Sequence, residues 1–376
     1  MKIILDEKIN VFEKVKSVLK GGHLCGVYRE ADSLYAENIL KDLTREYRVS
    51  RKILPSDAEN DEETAKDIMN VSDDVRLYVV FGGADVVECV KYAATMKEIK
   101  YIVILTTPCI AAKDTTYIFA GGSLRSYKAT LPSVILGEWK YLMTRDGFEG
   151  LIGDIAYALL SSFDARYLSY MKNVYPKEDG VLMKAEEFAC GDSLDKKELL
   201  KLATALSNLK SNNSAELFPY YVKRGDDKGF SIGKYKFEIA YTILLLYSYY
   251  LKYDGDDLYY PPDIMNSVDV MNSVFSENIA KVMSQYRYSL VGDYVKHCFL
   301  MREYREELVS DVDRYIDVMM KLSKAFRRIS SDGGYSLSEL PDYKSLMKRL
   351  SALSVLEDRD TLLRHMKTDG ILERYL

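Results

Sequence analysis

Residues 77–94 read LYVVFGGADVVECVKYAA, where an apolar run ends in two glycines and a helical pattern follows at once. The run Val75–Phe81 has the length and the β-branched content of a strand that is buried on both faces. The apolar residues of Val86–Lys97 recur at helical spacing. Glycine permits the tight turn between these two elements. This order of strand, turn and helix predicts one βα unit of a parallel sheet.

The same alternation of strand and helix patterns extends over the N-terminal part of the chain. Further strands are predicted at Leu24–Tyr28, Arg48–Leu54, Tyr101–Thr106 and Ser133–Leu136, and further helices at Ser33–Glu46 and Glu63–Met69. Residues 115–129 alternate around two adjacent glycines, which predicts a hairpin. Residues 1–150 are therefore predicted to form an α/β domain with a parallel, Rossmann-like sheet.

The strand patterns stop after residue 150. From Ile152 onward the apolar residues recur at helical spacing, as in IGDIAYALLSSFDARYLSYM over residues 152–171. Residues 151–376 are therefore predicted to form an all-helical domain. The longest apolar stretch, Ile239–Leu251, is too short to span a bilayer, so no membrane contact is expected.

The amino-acid composition argues against one class of partner, nucleic acids, and indicates the cellular compartment. The chain has 376 residues, with 52 Lys and Arg against 57 Asp and Glu, so it lacks the basic field that a nucleic-acid partner would require. Its five cysteines show neither CxxC pairs nor the density of a disulfide scaffold, which is typical of a reducing compartment. The N-terminal residues are charged throughout and do not resemble a signal peptide. A cytoplasmic location is expected.

The turn after the strand at 75–81 is the strongest candidate for a phosphate site. Gly82 and Gly83 would let a phosphate approach the backbone, and the start of the next helix supplies unpaired N–H groups and a favourable dipole. A plain tight turn explains the same glycines. Asp85, in the first helical turn, is a good cap but places a carboxylate where the phosphate would lie.

Three further residues are expected near this turn because they end neighbouring strands. Thr106 and Thr107 follow the strand at 101–106 and could donate their hydroxyls to a ligand, although they could equally well just begin a loop. Glu30 follows the strand at 24–28, where an acidic side chain could accept a hydrogen bond from a ribose hydroxyl. An exposed surface glutamate is the alternative.

Taken in order, these motifs resemble the superfamily of iron-containing alcohol dehydrogenases, and more closely its glycerol-1-phosphate dehydrogenase and dehydroquinate synthase-like branches. The resemblance extends over most of residues 20–255. A Gly-Gly-Gly-Ser turn of the family, which binds the pyrophosphate of NAD or NADP, resembles Gly82-Gly83-Ala84-Asp85. The family's Pro-Thr segment resembles Leu105-Thr106-Thr107, and its Gly-x-Gly-Asp motif resembles the residues that end at Asp154. The resemblance implies a dehydroquinate synthase-like fold.

The resemblance also identifies what this chain lacks. In the family, the aspartate at the Asp154 position and two histidines hold a catalytic zinc or iron, which acts as a Lewis acid during hydride transfer. The two family motifs that contain these histidines resemble segments of this chain in which Leu217 and Lys236 stand in their place. Neither leucine nor lysine is a normal metal ligand. We therefore expect no zinc or iron. If any metal binds, Asp154, Glu216 and Glu238 are the oxygen ligands that the sequence offers for magnesium or manganese.

The lysine at position 236 suggests a replacement for the metal. A buried ammonium group near Asp154 would form an ion pair in the vacated volume, or it would polarise a substrate carbonyl. The first alternative predicts that Lys236 and Asp154 lie within salt-bridge distance. These two residues are the candidates for a catalytic role if the chain is an enzyme.

Three functions are consistent with these observations. The first is a divergent relative of NAD(P)-dependent glycerol-1-phosphate or glycerol dehydrogenases that lacks the metal and binds a nucleotide or another phosphate-bearing small molecule without catalysis. The second is an active NAD(P)-dependent oxidoreductase on a small polyol or polyol phosphate, with an altered metal site. The third is a dehydroquinate synthase-like lyase, for which Lys113, Arg125 and Lys128 would supply positive charge. Relatives of this family commonly associate, so a homodimer is expected.

Overall fold

The computed structural model describes residues 2–109, 113–121, 123–143, 148–177, 179–190, 195–207, 218–219, 232–254, 294–329 and 361–368. The chain divides into two compact units, Met1–Phe148 and Glu149–Leu376. The first unit is built on a parallel sheet with helices, and the described part of the second is helical. The predicted fold class, an α/β region followed by an all-helical one, is confirmed.

The described part of the α/β unit contains eight strands. In chain order they are β1 (Lys2–Asp6), β2 (His23–Arg29), β3 (Arg48–Leu54), β4 (Val75–Gly82), β5 (Lys100–Leu105), β6 (Thr115–Ala120), β7 (Ser123–Lys128) and β8 (Val134–Glu138). Six of them form one parallel sheet in the order β1-β8-β5-β4-β2-β3. The other two, β6 and β7, pair antiparallel, so the predicted hairpin is confirmed.

Helices cover the sheet because its central strands β2, β4 and β5 are buried on both faces. The helices of this unit are α1 (Val11–Val18), α2 (Ser33–Leu43), α3 (Glu62–Met69), α4 (Ala84–Met96) and the short α5 (Trp139–Leu142). On one face, alternate residues of β4 such as Leu77 and Val79 share a core with α1 and α2. On the other face, the hydroxyl of Tyr78 donates to the carbonyl of Ile68 in α3. This alternation follows from the period of two along a strand.

The strand order creates a topological switch point between β2 and β4. Because β2 pairs with both β3 and β4, the chain leaves β2 toward one edge of the sheet and leaves β4 toward the other. Parallel α/β sheets bind ligands in the crevice beyond the carboxyl ends of the strands at such a point. Here those ends are Arg29 and Gly82.

The second unit contains, among its described residues, α6 (Phe148–Met171), α7 (Gly180–Cys190), α8 (Lys196–Ser207), α9 (Ile232–Tyr249), α10 (Tyr294–Glu303), α11 (Arg305–Ile329) and α12 (Leu362–Thr368). Two of these helices approach closely at a pair of glycines. A Cβ atom added to Gly153 of α6 would lie 2.5 Å from the carbonyl oxygen of Gly233 in α9. No helix in the described ranges is both long and apolar enough to cross a membrane.

Candidate functional site

The turn from β4 to α4 lies at the topological switch point. Gly82 ends β4, and α4 begins at Ala84. Gly83 is the N-cap of α4 and contributes no side-chain hydrogen bond to the first turn. The free N–H groups of a helix start carry a partial positive charge, so this turn has the polarity that an anion prefers.

Thr107 explains why residue 83 is a glycine. Its hydroxyl oxygen lies against the Cα atom of Gly83, where any side chain at position 83 would collide with it. Thr107 is half-buried, so its hydroxyl lies at the rim of the turn. A glycine at position 83 thus leaves room for Thr107, whose hydroxyl group lies at the start of α4.

The carboxylate of Asp85 is bound by an arginine from the neighbouring strand. Arg29, the last residue of β2, places Nη2 3.2 Å from Oδ2 of Asp85 and also donates to the carbonyl of Ala58. The guanidinium group offsets the negative charge that Asp85 brings to the start of α4. Arg29 was not identified from the sequence; the available signal is its place at the end of the strand beside the glycine turn.

Thr106 and Glu30, two of the residues predicted near the turn, lie in different surroundings. Thr106 is fully buried, and its hydroxyl donates to Oδ2 of Asp32 at 3.1 Å. Glu30 follows β2 directly but is exposed, and its carbonyl accepts a hydrogen bond from Ser33. The buried carboxylate after β2 is therefore that of Asp32, two residues beyond the predicted one. Tyr141 also donates to this carboxylate, at 3.5 Å.

The basic residues proposed for a lyase do not form a cluster on the hairpin. Arg125 and Lys128 are both exposed on β7. Lys113 lies in the connection before β6 and is half-buried. An exposed lysine or arginine on a hairpin is normally solvated, so these positions add no support for a phosphate-eliminating site.

In the helical unit, Lys236 and Asp154 form an ion pair. The Nζ atom of Lys236 on α9 lies 2.6 Å from Oδ1 of Asp154 on α6. Their side chains are only 16% and 17% exposed, so solvent screens the pair weakly. The close approach of Gly153 and Gly233, each within three residues of a pair member, brings the two helices together at this point. The predicted ion pair is confirmed.

Comparison with solved structures gives the fold a precedent. An archaeal, halo-thermophilic alcohol dehydrogenase from a Red Sea brine pool aligns over 100% of this chain and 97% of its own, with 14% identity and a TM-score of 0.56. The aldehyde reductase YqhD from E. coli aligns over 99% and 98%, with 10% identity and a TM-score of 0.55. An iron-containing alcohol dehydrogenase from Thermotoga maritima aligns over 98% of both chains, with 15% identity and a TM-score of 0.53.

The chain has the fold of the iron-containing alcohol dehydrogenases. The predicted resemblance is thereby confirmed for the fold. No protein-family model and no curated protein sequence matches the chain. Fold alone does not carry function, so the chemistry has to be argued from the side chains at the two positions described above.

The side chains around Asp154 do not fit the catalytic metal of this fold family. Asp154 is already bound by an ammonium group, which has no lone pair to offer a cation and repels it. Glu238 lies two residues beyond Lys236 on the same helix, so the two side chains leave α9 in nearly opposite directions. Glu216 and Leu217 lie outside the described residues. Within the described ranges, no group of three His, Cys, Asp or Glu side chains is arranged to hold a metal ion.

The three histidines lie at other places. His23, at the start of β2, contacts Asp74 through Nδ1 at 2.8 Å. His297 and His365 belong to α10 and α12, and their ring centroids are 6.4 Å apart in the core of the helical unit. Nε2 of His365 lies 3.8 Å from the thiol sulfur of Cys298. These positions differ from that of the Lys236–Asp154 pair.

Proposed function

We propose that this chain is a divergent relative of the NAD(P)-dependent glycerol-1-phosphate and glycerol dehydrogenases that works without their metal. In this proposal it binds a nucleotide or another phosphate-bearing small molecule and does not transfer hydride by metal-dependent chemistry. The observation that carries the proposal is the 2.6 Å ion pair between Lys236 and Asp154.

The ion pair supports the loss of metal chemistry for an electrostatic reason. By its resemblance to the family motifs, Asp154 stands at the position of an anionic metal ligand, and Lys236 stands at the position of a neutral histidine ligand. An ammonium group delivers its own positive charge to the carboxylate, so a divalent cation would have to displace it or bind beside it. Displacement would leave the partly buried ammonium group without its partner, and a cation bound beside it would be repelled by its charge.

The switch point supports the ligand-binding part of the proposal. A helix start, the hydroxyl of Thr107 and the guanidinium of Arg29 surround the glycine turn at the carboxyl ends of β2 and β4. An incoming phosphate would compete with Asp85 for Arg29 and for the start of α4. The ligand that this arrangement favours carries at least one phosphate group.

A thermal melt of the purified chain tests both parts of the proposal. NAD, NADH, NADP and NADPH are each added with and without zinc, manganese or magnesium, since a ligand that binds only the folded state raises the midpoint by mass action. We expect at least one dinucleotide to raise the midpoint and the metals to add nothing to that shift.

Two variants locate the binding. Arg29→Met should reduce the shift, whereas Arg48→Met should leave it unchanged, since Arg48 forms an exposed ion pair with Asp74 at the start of β3. A shift that grows with added metal would instead favour the active oxidoreductase with an altered metal site. Absence of any shift with all four dinucleotides, or equal effects of the two variants, would contradict binding at the α4 turn.

A further inference from the structure

The helical unit contains a cavity that the proposed function does not use. Its volume is about 410 Å³, and residues of α6, the connection to α7, α7 itself and α8 line it. Cavities of this size hold small organic molecules. Ser162, Arg166 and Ser169 line it from α6, and Leu206 lines it from α8.

Among the described residues that line this cavity, Asp179 is the acidic one, and the protein itself supplies its hydrogen-bond donors. It caps α7 by accepting from the backbone N–H groups of Val181 at 2.8 Å and Leu182 at 3.2 Å. Its other oxygen accepts hydrogen bonds from the hydroxyls of Ser162 and Tyr315. A carboxylate with these four donors has little capacity left for a further cation.

The cationic side chains of the lining differ in whether a carboxylate neutralises their charge. Arg166 is held by two hydrogen bonds of 2.9 Å to Asp311, and its Nη1 donates to the carbonyl of Lys177. Lys177 and Lys184 also line the cavity; both are exposed to solvent, and neither forms an ion pair with a residue in the described ranges. The described residues of the lining therefore carry a net positive charge, with two lysine ammonium groups available to an incoming anion.

The lining also has an apolar side. Pro176, Val181 and Leu206 are buried residues that contribute to the wall. A ligand that satisfies the whole cavity would carry an anionic head for the two lysines and a short apolar body for this wall.

We propose that this cavity is a second binding site, for a small amphiphilic anion with a phosphate or carboxylate head group. The two lysines bind the head group as point charges, and Arg166 fixes the backbone carbonyl of Lys177 and thereby the position of that lysine. The site lies entirely within the helical unit and does not depend on the α4 turn or on the Lys236–Asp154 pair.

Calorimetric titration of the full chain in phosphate-free buffer tests this site. The probes are hexyl phosphate, hexanoate, hexan-1-ol and inorganic phosphate, which separate the charge of the head group from the apolar body. We expect saturable binding of one or both amphiphilic anions at one molecule per chain, and weaker binding of hexan-1-ol and of inorganic phosphate. The comparison of hexyl phosphate with hexanoate identifies the preferred head group.

The variant Lys177→Gln/Lys184→Gln should weaken that binding by at least about ten-fold, since each lost charge–charge hydrogen bond is worth a large part of that factor. Lys172→Gln is the matched control, because Lys172 is an exposed lysine at the end of α6 that does not line the cavity. Retained affinity in the double variant, an equal loss in the control, or equal binding of hexan-1-ol would overturn the proposal. So would a loss caused by Arg29→Met alone, which would assign the binding to the α4 turn.

Discussion

The Lys236–Asp154 pair stabilises the helical unit only while both partners are present. Lys236→Met would leave the carboxylate of Asp154 mostly buried without its cation. We expect this variant to lower the free energy of unfolding by about 2 kcal/mol, because an unpaired buried charge costs more than the pair itself contributes. Urea unfolding followed by far-ultraviolet circular dichroism measures the change.

A second lysine–aspartate pair of the same unit provides the control. Lys252 lies 2.7 Å from Asp313, but the two side chains are 35% and 46% exposed. Lys252→Met should therefore change the stability by about 0.5 kcal/mol or less. Removing both charges at the first site, with Asp154→Leu added to Lys236→Met, should restore part of the loss. Equal losses for the two single variants would show that burial of the first pair has no effect on stability.

Asp85 controls how well the start of α4 accepts a phosphate. Its carboxylate and the phosphate would share Arg29 and the helix dipole, so replacing it should favour the ligand. We expect Asp85→Ser to bind a dinucleotide about ten-fold more tightly than the original chain, a gain that corresponds to roughly 1.4 kcal/mol. Titration calorimetry measures it. Unchanged or weaker binding in this variant would mean that Asp85 does not compete with the ligand.

At the level of single residues, the sequence predicted an interacting pair whose two members lie in recognisable motifs. It did not predict pairs of side chains that come together only because their strands are neighbours in the sheet. The ion pair of Lys236 with Asp154 followed from two aligned motif positions. Arg29 belongs to no motif, and it reaches Asp85 only because β2 and β4 are neighbours. Asp32 was missed for the same reason, since its partner Thr106 lies 74 residues away.

Among the elements, the hairpin of β6 and β7 depends on a buried lysine of α4. Lys91 is fully buried, and its Nζ donates to Oε1 of Glu88 at 3.1 Å and to the carbonyl of Thr115 at 3.0 Å. Glu88 in turn accepts from the backbone N–H of Tyr117. Lys91→Met should destabilise the α/β unit by about 2 kcal/mol, because it removes the cation beside the partly buried carboxylate of Glu88 and the donor to the carbonyl of Thr115.

The effect should be largest at the hairpin itself. Hydrogen exchange of the backbone amides in β6 and β7 should accelerate more in Lys91→Met than exchange in β4. Lys66→Met is the control, because Lys66 pairs with Glu62 on the exposed face of α3 and its loss should leave the hairpin amides unchanged. An equal acceleration in both variants, or none in Lys91→Met, would contradict the role of Lys91.

The elements that the sequence predicted are those with their own periodic pattern. The predicted strand at 48–54 agrees with β3, and the other predicted strands of the parallel sheet agree within two residues at each end. The first strand, β1, was missed because its five residues carry charged ends and a partly buried pattern. Pairing with β8 makes it a strand, and that partner lies more than 100 residues along the chain.

For the molecule as a whole, the fold and the chemistry of the site depend on different sets of residues. The strand order defines the switch point, and the helical spacing of apolar residues predicts the helical second unit. Both features could be predicted from the sequence because they depend on many apolar residues at once. The chemistry of a site depends on a few side chains, and here Lys236 occupies the carboxylate of Asp154. The archaeal alcohol dehydrogenase and YqhD share this fold with the chain at 14% and 10% identity, and a shared fold does not establish a shared reaction. The reaction therefore has to be tested directly.

Acid should destabilise the whole helical unit through His365. Burial, and after it the charge of His297, lowers the pKa of His365 to about 3, whereas the unfolded chain has a histidine pKa near 6.5. Between these values the unfolded state binds the proton and the folded state does not. The stability that is present above pH 6.5 is therefore lost as the pH falls toward 3, with a slope of up to about 1.4 kcal/mol per pH unit.

The variant His365→Gln isolates this contribution. Glutamine keeps an amide group near the thiol of Cys298 but does not titrate, so the variant should lose less stability than the original chain on going from pH 7 to pH 5. Urea unfolding at a series of pH values measures both slopes. Groups far from this position contribute equally to the two proteins, so the difference between their slopes reports on His365 and its coupling to His297. Parallel pH profiles would mean that the imidazole takes up its proton in the folded protein as readily as in the unfolded chain, and that the core around α12 opens without unfolding the unit.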